Sequence, residues 1–507
     1  MTTGSLATSA RRPTGLIALG STIAAIGVAL FVYSQTKAFA WDEGFHLLTA
    51  QLIKQGKRPY LDFVFSQTPL NAYWNAMWMR LVSESWQTPH GVAACMTTLA
   101  TLAAALWTLR HFPIPAWRLP AAILVAFSIG FDIQVFEYGT VAQAYGLAIF
   151  CIVAAYCAAV AAVERANPLH AAASGFLACA AAASTLLTAP VAPVLLIWMW
   201  FCNRAGSKIV KSTAFLVAGA IPFLPVLRLY LEGPRQTIFS IVDYNFRYRE
   251  VKWDGATEHN LDVLTMWIES PQALLLGLLA IAGLWFVARR SGWDSEVRAR
   301  FYLCAGLAAA LGLHISVAKP TFQRYYLFLV PFLAILAAVG LYAIAARMDR
   351  EERPWRPVLL LCAFSVLAIG RMLFSTFDDL KWAQLEQLAG IVKQVSTDRN
   401  KFLGDEQMYF LLGWTPPPGM ELMDSHKIET LPASEYKLLH LVPQMERDKR
   451  VLAGEFQTVE SCGEEKYDLP IDLAKLYTQK KEVEECAVYW DFAPPKATTG
   501  PAGSTSR

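Results

Sequence analysis

Charged residues are scarce in this sequence, and their scarcity argues against an ordinary soluble fold. Only 17% of the 507 residues are Asp, Glu, Lys or Arg, whereas soluble domains carry about 25%. The chain is 55% hydrophobic, with a mean hydropathy of +0.34. The apolar residues are concentrated in runs of about 18 to 25 residues, each long enough to cross about 30 Å of hydrocarbon. The sequence therefore predicts an all-α polytopic membrane protein.

The sequence also lacks any block of basic residues. Its net charge of +3 is close to neutral and says nothing about nucleic acid, and without a basic block we expect no nucleic-acid partner. His46, His259 and His314 do not have the spacing of metal ligands. Of the nine cysteines, only Cys462 and Cys486 lie outside the apolar runs. These two either form a disulfide, if their side of the membrane is oxidising, or remain free thiols.

The apolar runs predict about eleven transmembrane helices. The third run is short, and Pro190 and Pro193 blur the division between the fifth and the sixth. The first run has nearly the length of a full span and no clear cleavage site before Trp41, so we expect a retained helix rather than a signal peptide. The candidate spans are roughly 16–35, 91–110, 118–132, 139–162, 168–186, 187–203, 212–231, 271–289, 299–318, 323–346 and 355–375.

The distribution of Lys and Arg predicts which loops face the cytoplasm. With the N-terminus inside, nearly every short inner loop is basic, as at Arg204–Lys211 and Arg289–Arg300. The outer loop around Asp132 and Glu137 has no Lys or Arg. We therefore expect a bacterial inner-membrane protein whose active side is extracytoplasmic. The segments placed outside are the Trp41 loop, the 232–270 loop, the Lys319–Tyr325 loop and the C-terminus.

The composition changes near residue 376, and we predict two domains and a tail. A transmembrane domain occupies 1–375, a small extracytoplasmic α/β domain occupies 376–492, and residues 493–507 are expected to be disordered. Within the second domain, Asp378–Val395 is amphipathic. Its strand-like runs are Lys401–Gly404, Lys437–Val442 and Cys486–Phe492.

Two adjacent carboxylates, Asp42 and Glu43, follow the first apolar run. After them, Phe45, Leu48 and Leu52 share one helical face, which predicts a short surface helix that packs on the bilayer. A carboxylate at a helix N-terminus is stabilised in its charged form. It suits a general base, which contributes about 10² to 10⁴ in rate. Asp is equally a preferred N-cap without chemistry, and the spacing alone leaves both interpretations open.

The motifs of this region resemble those of GT-C membrane glycosyltransferases. The resemblance is to the protein O-mannosyltransferase-like branch and to bacterial enzymes that transfer sugars, including galacturonic acid, to lipopolysaccharide core or lipid A. It covers roughly residues 15–345. Many relatives have Lys-Pro-Pro-Leu where this chain has Gln67-Thr68-Pro69-Leu70, so the resemblance does not extend to a phosphate contact there. The other matching motifs are Trp41-Asp42-Glu43, Gly56-Lys57-Arg58-Pro59-Tyr60-Leu61-Asp62, and Arg324-Tyr325-Tyr326-Leu327 followed by Pro331.

This resemblance implies an enzyme that takes a sugar from a polyprenyl-phosphate donor, inverts its anomeric centre and passes it to a lipid, glycan or protein acceptor. Asp42 would be the general base, and Glu43 would support it or help to bind metal. A divalent cation held by Asp42 or Glu43 together with Glu137 is compatible with the sequence but not indicated by it. Arg58 and Arg324 suit the departing phosphate, because a guanidinium binds two oxygens at once. The remaining candidates for substrate binding are Tyr60, Glu137, Tyr138, Arg247, Lys319 and Tyr325.

Simpler interpretations stay open for several of these residues. Arg58 and Arg324 also suit anchoring to lipid head groups, Glu137 is an acid that any short outer loop tolerates, and the aromatic neighbours of Arg247 suit an interfacial belt. A lipid or sugar transporter or flippase is a second hypothesis, although charges cluster in the outer loops rather than at helix centres. A non-catalytic envelope assembly protein is a third.

Overall fold

The structure is a computed structural model, and it describes most of the chain. The described residues are 13–37, 39–40, 42–250, 256–289, 292–318, 321–348, 352–423, 425, 428, 431–462 and 471–493. Three sequence predictions fall outside them: those for Trp41, for Lys319 and, apart from Ala493, for the tail 493–507.

Helices make up most of this part of the chain, as the apolar runs predict. The α-helices are α1 (Pro13–Thr36), α2 (Glu43–Lys54), α3 (Leu70–Leu81), α4 (Gln87–His111), α5 (Arg118–Gly130), α6 (Ile133–Tyr138), α7 (Tyr145–Glu164), α8 (Pro168–Ser184), α9 (Val191–Cys202), α10 (Lys208–Ala220), α11 (Leu224–Glu232), α12 (Pro234–Ile238), α13 (Tyr244–Glu250), α14 (Ala256–Glu269), α15 (Pro271–Arg289), α16 (Ser295–Ser316), α17 (Val330–Arg347), α18 (Trp355–Ser375), α19 (Trp382–Val395), α20 (Glu406–Leu412), α21 (Ala433–Leu438) and α22 (Gln444–Leu452).

Within the described ranges, eight helical segments are long and apolar enough to cross a membrane, and three shorter apolar helices accompany them. The long segments are α1, α4, α7, the consecutive α10 and α11, α15, α16, α17 and α18, and the shorter ones are α5, α8 and α9. Together they match the predicted spans in position, so the predicted fold class is confirmed. Two spans begin later than predicted, at Tyr145 and Val330, because residues 139–144 form a loop and Gln323–Phe328 form a 3₁₀-helix.

Small residues allow the central helices to approach one another closely. A Cβ atom added at Gly340 of α17 would lie 1.9 Å from the carbonyl oxygen of Leu279 in α15. A Cβ at Gly283 of α15 would lie 2.0 Å from the carbonyl oxygen of Leu336. Such contacts between backbones are the usual way in which membrane helices associate. They place α17, whose residues are mostly buried, at the centre of the bundle.

Helix α2 confirms the predicted helix after Asp42 but not its expected position on the bilayer. It buries Leu48 and Leu52, and it also buries Leu47 and Ala50 on other faces. A Cβ at Gly44 would lie 2.8 Å from the backbone nitrogen of Gln407 in α20. The C-terminal residues therefore cover the side of α2 that the sequence assigns to solvent.

The C-terminal residues form a small α/β unit, as predicted. Its sheet has the strand order β1-β2-β4-β3, with β1 parallel to β2 and the other pairs antiparallel. Helix α19 confirms the predicted amphipathic segment, because it buries Trp382, Leu385, Leu388 and Val392. The domain boundaries at 375 and 492 stay predictions. The strands are β1 (Phe402–Leu403), β2 (Thr458–Cys462), β3 (Tyr477–Val483) and β4 (Cys486–Phe492).

One predicted strand is wrong and two strands were not expected. Lys437–Val442 is not a strand: α21 ends at Leu438, and Leu439 and Leu441 are instead buried in an apolar cluster. Strand β3 was not predicted because the residues after Tyr477 are exposed and polar, without the alternation of a half-buried strand.

Cys462 and Cys486 face each other on β2 and β4 and form a disulfide.

Candidate functional site

Asp42 and Arg324, far apart in the sequence, form an ion pair. Asp42 occupies the N-cap position of α2, but its side chain makes no capping hydrogen bond. Its carboxylate accepts instead from Nη2 of Arg324, whose Nε donates to the Tyr145 hydroxyl at 3.2 Å. The Arg324 guanidinium also lies over the Phe322 ring, 4.4 Å from its centroid. The Asp42 side chain is 45% exposed and that of Arg324 is 20% exposed, so a ligand can reach the pair.

On one side of the pair lies a cavity of about 380 Å³ with an apolar rim, here named the apolar cavity. The large hydrophobic side chains of Leu186, Val242, Phe246 and Val317 line it and are themselves exposed. Leu186 lies two residues after the end of α8 and Val317 directly follows α16, so the cavity lies near the ends of these apolar helices. This position and this lining suit the head of a lipid. Its polar lining residues include Asp42, His46, Ser66, Gln67, Thr68, Gln143, Asn245, His314 and Arg324.

The pair also lines a second cavity, of about 530 Å³, here named the acidic cavity. It shares Asp42, Gln143 and Arg324 with the apolar cavity. The ion pair therefore stands where two cavities of different character meet. The carboxylates of the acidic cavity belong to Asp42, Glu137, Asp378, Asp379, Glu484 and Glu485.

Glu43 points away from both cavities and is completely buried. Its Oε1 accepts from the backbone N–H of Ala142 at 2.5 Å and lies 2.5 Å from Nε2 of His90. Nδ1 of His90 lies 2.7 Å from the carbonyl oxygen of Ser34, which can only accept, so Nδ1 carries a proton. Nε2 of His90 therefore faces the Glu43 carboxylate across a short hydrogen-bonding contact. These hydrogen bonds join the end of α1, the start of α2, α4 and the 139–144 loop.

A second charge pair, between a buried lysine and a partly exposed glutamate, supports the wall of the acidic cavity. Lys37 is 3% exposed, and its Nζ lies 3.6 Å from Oε1 of Glu137. The ammonium group also lies 5.3 Å from the ring centroid of Tyr33 and 5.5 Å from that of Tyr138. Burial lowers the pKa of Lys37, and the charge of Glu137 opposes this change. The pair holds Glu137 and Tyr138 at the cavity wall.

The structure brings together about half of the predicted site residues. Asp42, Arg324 and Tyr325 line the apolar cavity, and Glu137 and Tyr138 line the acidic cavity together with the ion pair. These five come from three loops that the sequence assigns to one side of the membrane.

The other predicted site residues lie elsewhere. Arg58 is 52% exposed and pairs with Asp62 and Glu232 rather than lining either cavity. Tyr60 is buried, and its hydroxyl donates to the carbonyl oxygen of Gln67 at 2.6 Å. Arg247 lies on α13 beside the cavity-lining Phe246 and does not itself line the two cavities. The binding roles of these residues stay predictions.

Several residues of the site were missed by the sequence analysis. His46 lines the apolar cavity; burial lowers its pKa to about 3, so its ring is neutral. Gln143 stands between the cavities, Tyr145 positions Arg324, and Lys37 and His90 each bind a glutamate. Lys37 could have been found from the sequence, because it directly follows an apolar run, and burying an ammonium group there costs free energy unless an acid pairs with it. The others are single polar residues without a pattern.

The arrangement does not provide the ligand set considered for a divalent cation. Asp42 is paired with Arg324, Glu137 with Lys37 and Glu43 with His90. In the described part of the chain, one group of three potential ligands converges: Glu460, Cys462 and Cys486. The sulfurs of its two cysteines form the disulfide. We therefore derive no step through a metal.

The chain is similar in fold to solved structures of ArnT and of an oligosaccharyltransferase. ArnT from Cupriavidus metallidurans, bound to undecaprenyl phosphate, is 15% identical with a TM-score of 0.66, over 94% of this chain and 98% of that chain. ArnT in the apo state is 14% identical with the same TM-score and coverage. The Archaeoglobus fulgidus oligosaccharyltransferase, in complex with Zn and sulfate, is 12% identical with a TM-score of 0.53, over 87% of this chain and 68% of that chain. No protein-family model and no curated protein sequence matches the chain. At these identities the likeness shows the GT-C fold.

Proposed function

We propose that this protein is a membrane glycosyltransferase that moves a sugar from a polyprenyl-phosphate donor to a hydroxyl-bearing acceptor. The observation that carries the proposal is the position of the Asp42–Arg324 pair between an apolar-rimmed cavity and an open polar one. A base and a phosphate-binding cation are the two groups that such a transfer needs at its reacting centre. The likeness to ArnT, whose structure contains undecaprenyl phosphate, supports a donor of this class.

The donor is assigned to the apolar cavity. Exposed apolar residues at the rim, Val242, Phe246 and Val317, suit the first isoprene units of the carrier. The phosphate would then lie against Arg324. The contacts of this guanidinium with Asp42 and Tyr145 use two of its five N–H donors. Phosphate binding can therefore compete with Asp42 for Arg324 and release the carboxylate for chemistry.

The transfer follows as a single displacement. Asp42 accepts the proton of the acceptor hydroxyl, and the oxygen attacks the anomeric carbon. The bond from this carbon to the phosphate oxygen breaks, and the phosphate leaves with the electron pair, stabilised by Arg324. Donor and acceptor would occupy two different cavities that share the ion pair, and attack would then occur opposite the leaving group. Such an in-line displacement inverts the anomeric centre.

Glu43 is assigned a positioning role rather than direct chemistry. Its hydrogen bond to Ala142 fixes the backbone next to Gln143, and the Glu43 backbone follows Asp42 directly. Displacing reacting groups by about 1 Å can cost about 10² in rate. The Glu43–His90 pair thus supports both the base and the junction of the cavities.

We further propose that the site lies on the extracytoplasmic side of a bacterial inner membrane. The backbone N–H of Phe39, three residues before Asp42, donates to the carbonyl oxygen of Leu380 at 2.6 Å, so the segment that carries Asp42 and the C-terminal unit share one side. The Cys462–Cys486 disulfide belongs to the same side and is typical of oxidising compartments. The basic loops, such as Arg204–Lys211, belong to the opposite side under the positive-inside rule.

The proposal is tested by following the carrier lipid. Purified full-length protein in nanodiscs would be incubated with polyprenyl-phosphate sugars and bacterial envelope acceptors, and free polyprenyl phosphate would be measured by mass spectrometry. We expect release of polyprenyl phosphate together with a glycosylated product. Movement of the intact donor across vesicle membranes, without release of the phosphate, would identify a flippase instead.

A further inference from the structure

The acidic cavity gathers carboxylates from distant parts of the chain. Glu137 belongs to the loop helix α6, Asp378 and Asp379 follow α18, and Glu484 and Glu485 form the turn between β3 and β4. They line the same cavity as the Asp42–Arg324 pair. A run of neighbouring acids would be an ordinary solvated surface, whereas this convergence requires the two parts of the fold to meet.

Most of these acids are not neutralised within the protein. Of the described cations, none forms a salt bridge with Asp378, Asp379 or Glu485. The nearest cation in sequence, Lys381, donates from Nζ to the backbone carbonyls of Phe377 and Asp379 and leaves the carboxylates free. Glu484 accepts from Nε2 of Gln384, a neutral donor, at 2.9 Å.

The backbone of Glu484, in the turn between β3 and β4, is strained. Its φ of +52° lies in the left-handed region that glycine and asparagine adopt most easily. Glutamate at such a position is strained, and here its side chain lines the cavity.

Gln143, which lines both cavities, supplies an independent sign of a ligand here. Its side chain lines the cavity, and the residue is 5% exposed. Its Oε1 is buried and has no hydrogen-bond partner among the described residues. A buried amide oxygen without a partner is costly and uncommon in native proteins. A donor group from a ligand, such as a hydroxyl or an ammonium, would satisfy it.

We infer that the acidic cavity binds the acceptor, and that this acceptor carries an ammonium group close to the hydroxyl that receives the sugar. The inference rests on the proposed function, which it makes more specific. Carboxylates attract an ammonium group and repel phosphate, so acceptors rich in phosphate are disfavoured at this site. Lysine side chains and amino sugars both supply the required chemistry.

Charge-matched probes test the inference without knowledge of the natural acceptor. Binding to the full-length protein in nanodiscs would be compared for the peptides Lys-Ser-Lys and Glu-Ser-Glu, and for a glucosamine trimer and its N-acetylated form. We expect the cationic member of at least one pair to bind tenfold or more tightly than its counterpart. The pair that shows the difference identifies the source of the ammonium group. Equal binding within both pairs would overturn the inference.

A matched pair of double variants locates the binding. Asp378→Asn with Glu485→Gln removes two unpaired acids that line the cavity from different segments of the chain, and we expect it to weaken cationic binding about tenfold. Asp262→Asn with Glu446→Gln removes one exposed Asp and one exposed Glu elsewhere and should leave binding unchanged. Equal losses in both variants would mean general attraction to a negative protein, and the inference would fail.

The transfer assay separates this inference from the proposed function. If the function is right and the inference wrong, polyprenyl phosphate is released but the rate shows no preference for cationic acceptors. If the function is wrong, no phosphate is released with any acceptor, whereas the binding comparison still reports on the acidic cavity.

Discussion

The pair formed by Glu43 and His90 gives a prediction about stability, and its magnitude follows from the number of buried hydrogen bonds that a substitution removes. We consider Glu43→Gln, which keeps the shape of the side chain. A glutamine oxygen can still accept from the N–H of Ala142. Nε2 of His90 then either presents its lone pair to that oxygen or carries a charge without a counter-charge. If the proton of His90 moves from Nδ1 to Nε2 instead, Nδ1 faces the carbonyl oxygen of Ser34 without a hydrogen.

Each arrangement therefore either loses one fully buried hydrogen bond or leaves a buried charge without a counter-charge. A buried polar group left without a partner costs about 1–3 kcal/mol, and breaking a buried charge pair costs about 3–5 kcal/mol. Because glutamine retains one contact, we expect a loss of about 1–3 kcal/mol in the free energy of unfolding. A lower melting temperature of the purified protein in detergent would report it.

The same change should reduce transfer through position rather than through binding. A shift of Asp42 and Gln143 by a fraction of an ångström would lower kcat by about 10- to 100-fold and change the KM for the donor little. Glu84→Gln is a matched control, because Glu84 lies in a nearby loop and its side chain is 69% exposed. A Glu43→Gln protein with wild-type stability and wild-type kcat would refute the assigned role.

Three further substitutions test other parts of the account. Arg324→Lys keeps the charge but loses the planar fork, so we expect kcat to fall about 10²-fold while the fold is retained, as measured by phosphate release. Cys462→Ser with Cys486→Ser should cost about 2–5 kcal/mol of stability in the C-terminal unit, seen as earlier proteolysis of that unit. Gly340→Ala should lower the melting temperature by a loss of about 1–3 kcal/mol, because its Cβ meets a backbone carbonyl. Gly277→Ala, with open space around it, should not.

The transmembrane helices could be predicted because the signal for them is local. Each apolar run carries its own length and hydropathy, and the bias of Lys and Arg predicts on which side of the membrane each loop lies. Helix α19 was predictable for the same reason, since its buried residues recur with helical spacing. Strand β3 was not, because its exposed residues carry no such period.

The sequence predicted which types of residue form the site, but not which of them lie together. Residue type singled out Asp42 and Arg324, but their pairing joins positions 282 residues apart, and no spacing rule covers such a distance. Asp42 and Glu43 look equivalent in the sequence, yet one faces a cavity and the other the core. Tertiary packing around α2 makes that choice, and His90 and Gln143 enter the site through the same packing.

The most direct test of the central claim is the transfer rate of Asp42→Asn at saturating donor. Asparagine keeps the size of the side chain but cannot accept the acceptor's proton, so we expect a loss of about 10² to 10⁴ in rate with donor binding retained. Asp62→Asn, a change of the same kind at an acid that pairs with Arg58 outside both cavities, should keep most of the activity. Unchanged transfer by Asp42→Asn would contradict the account.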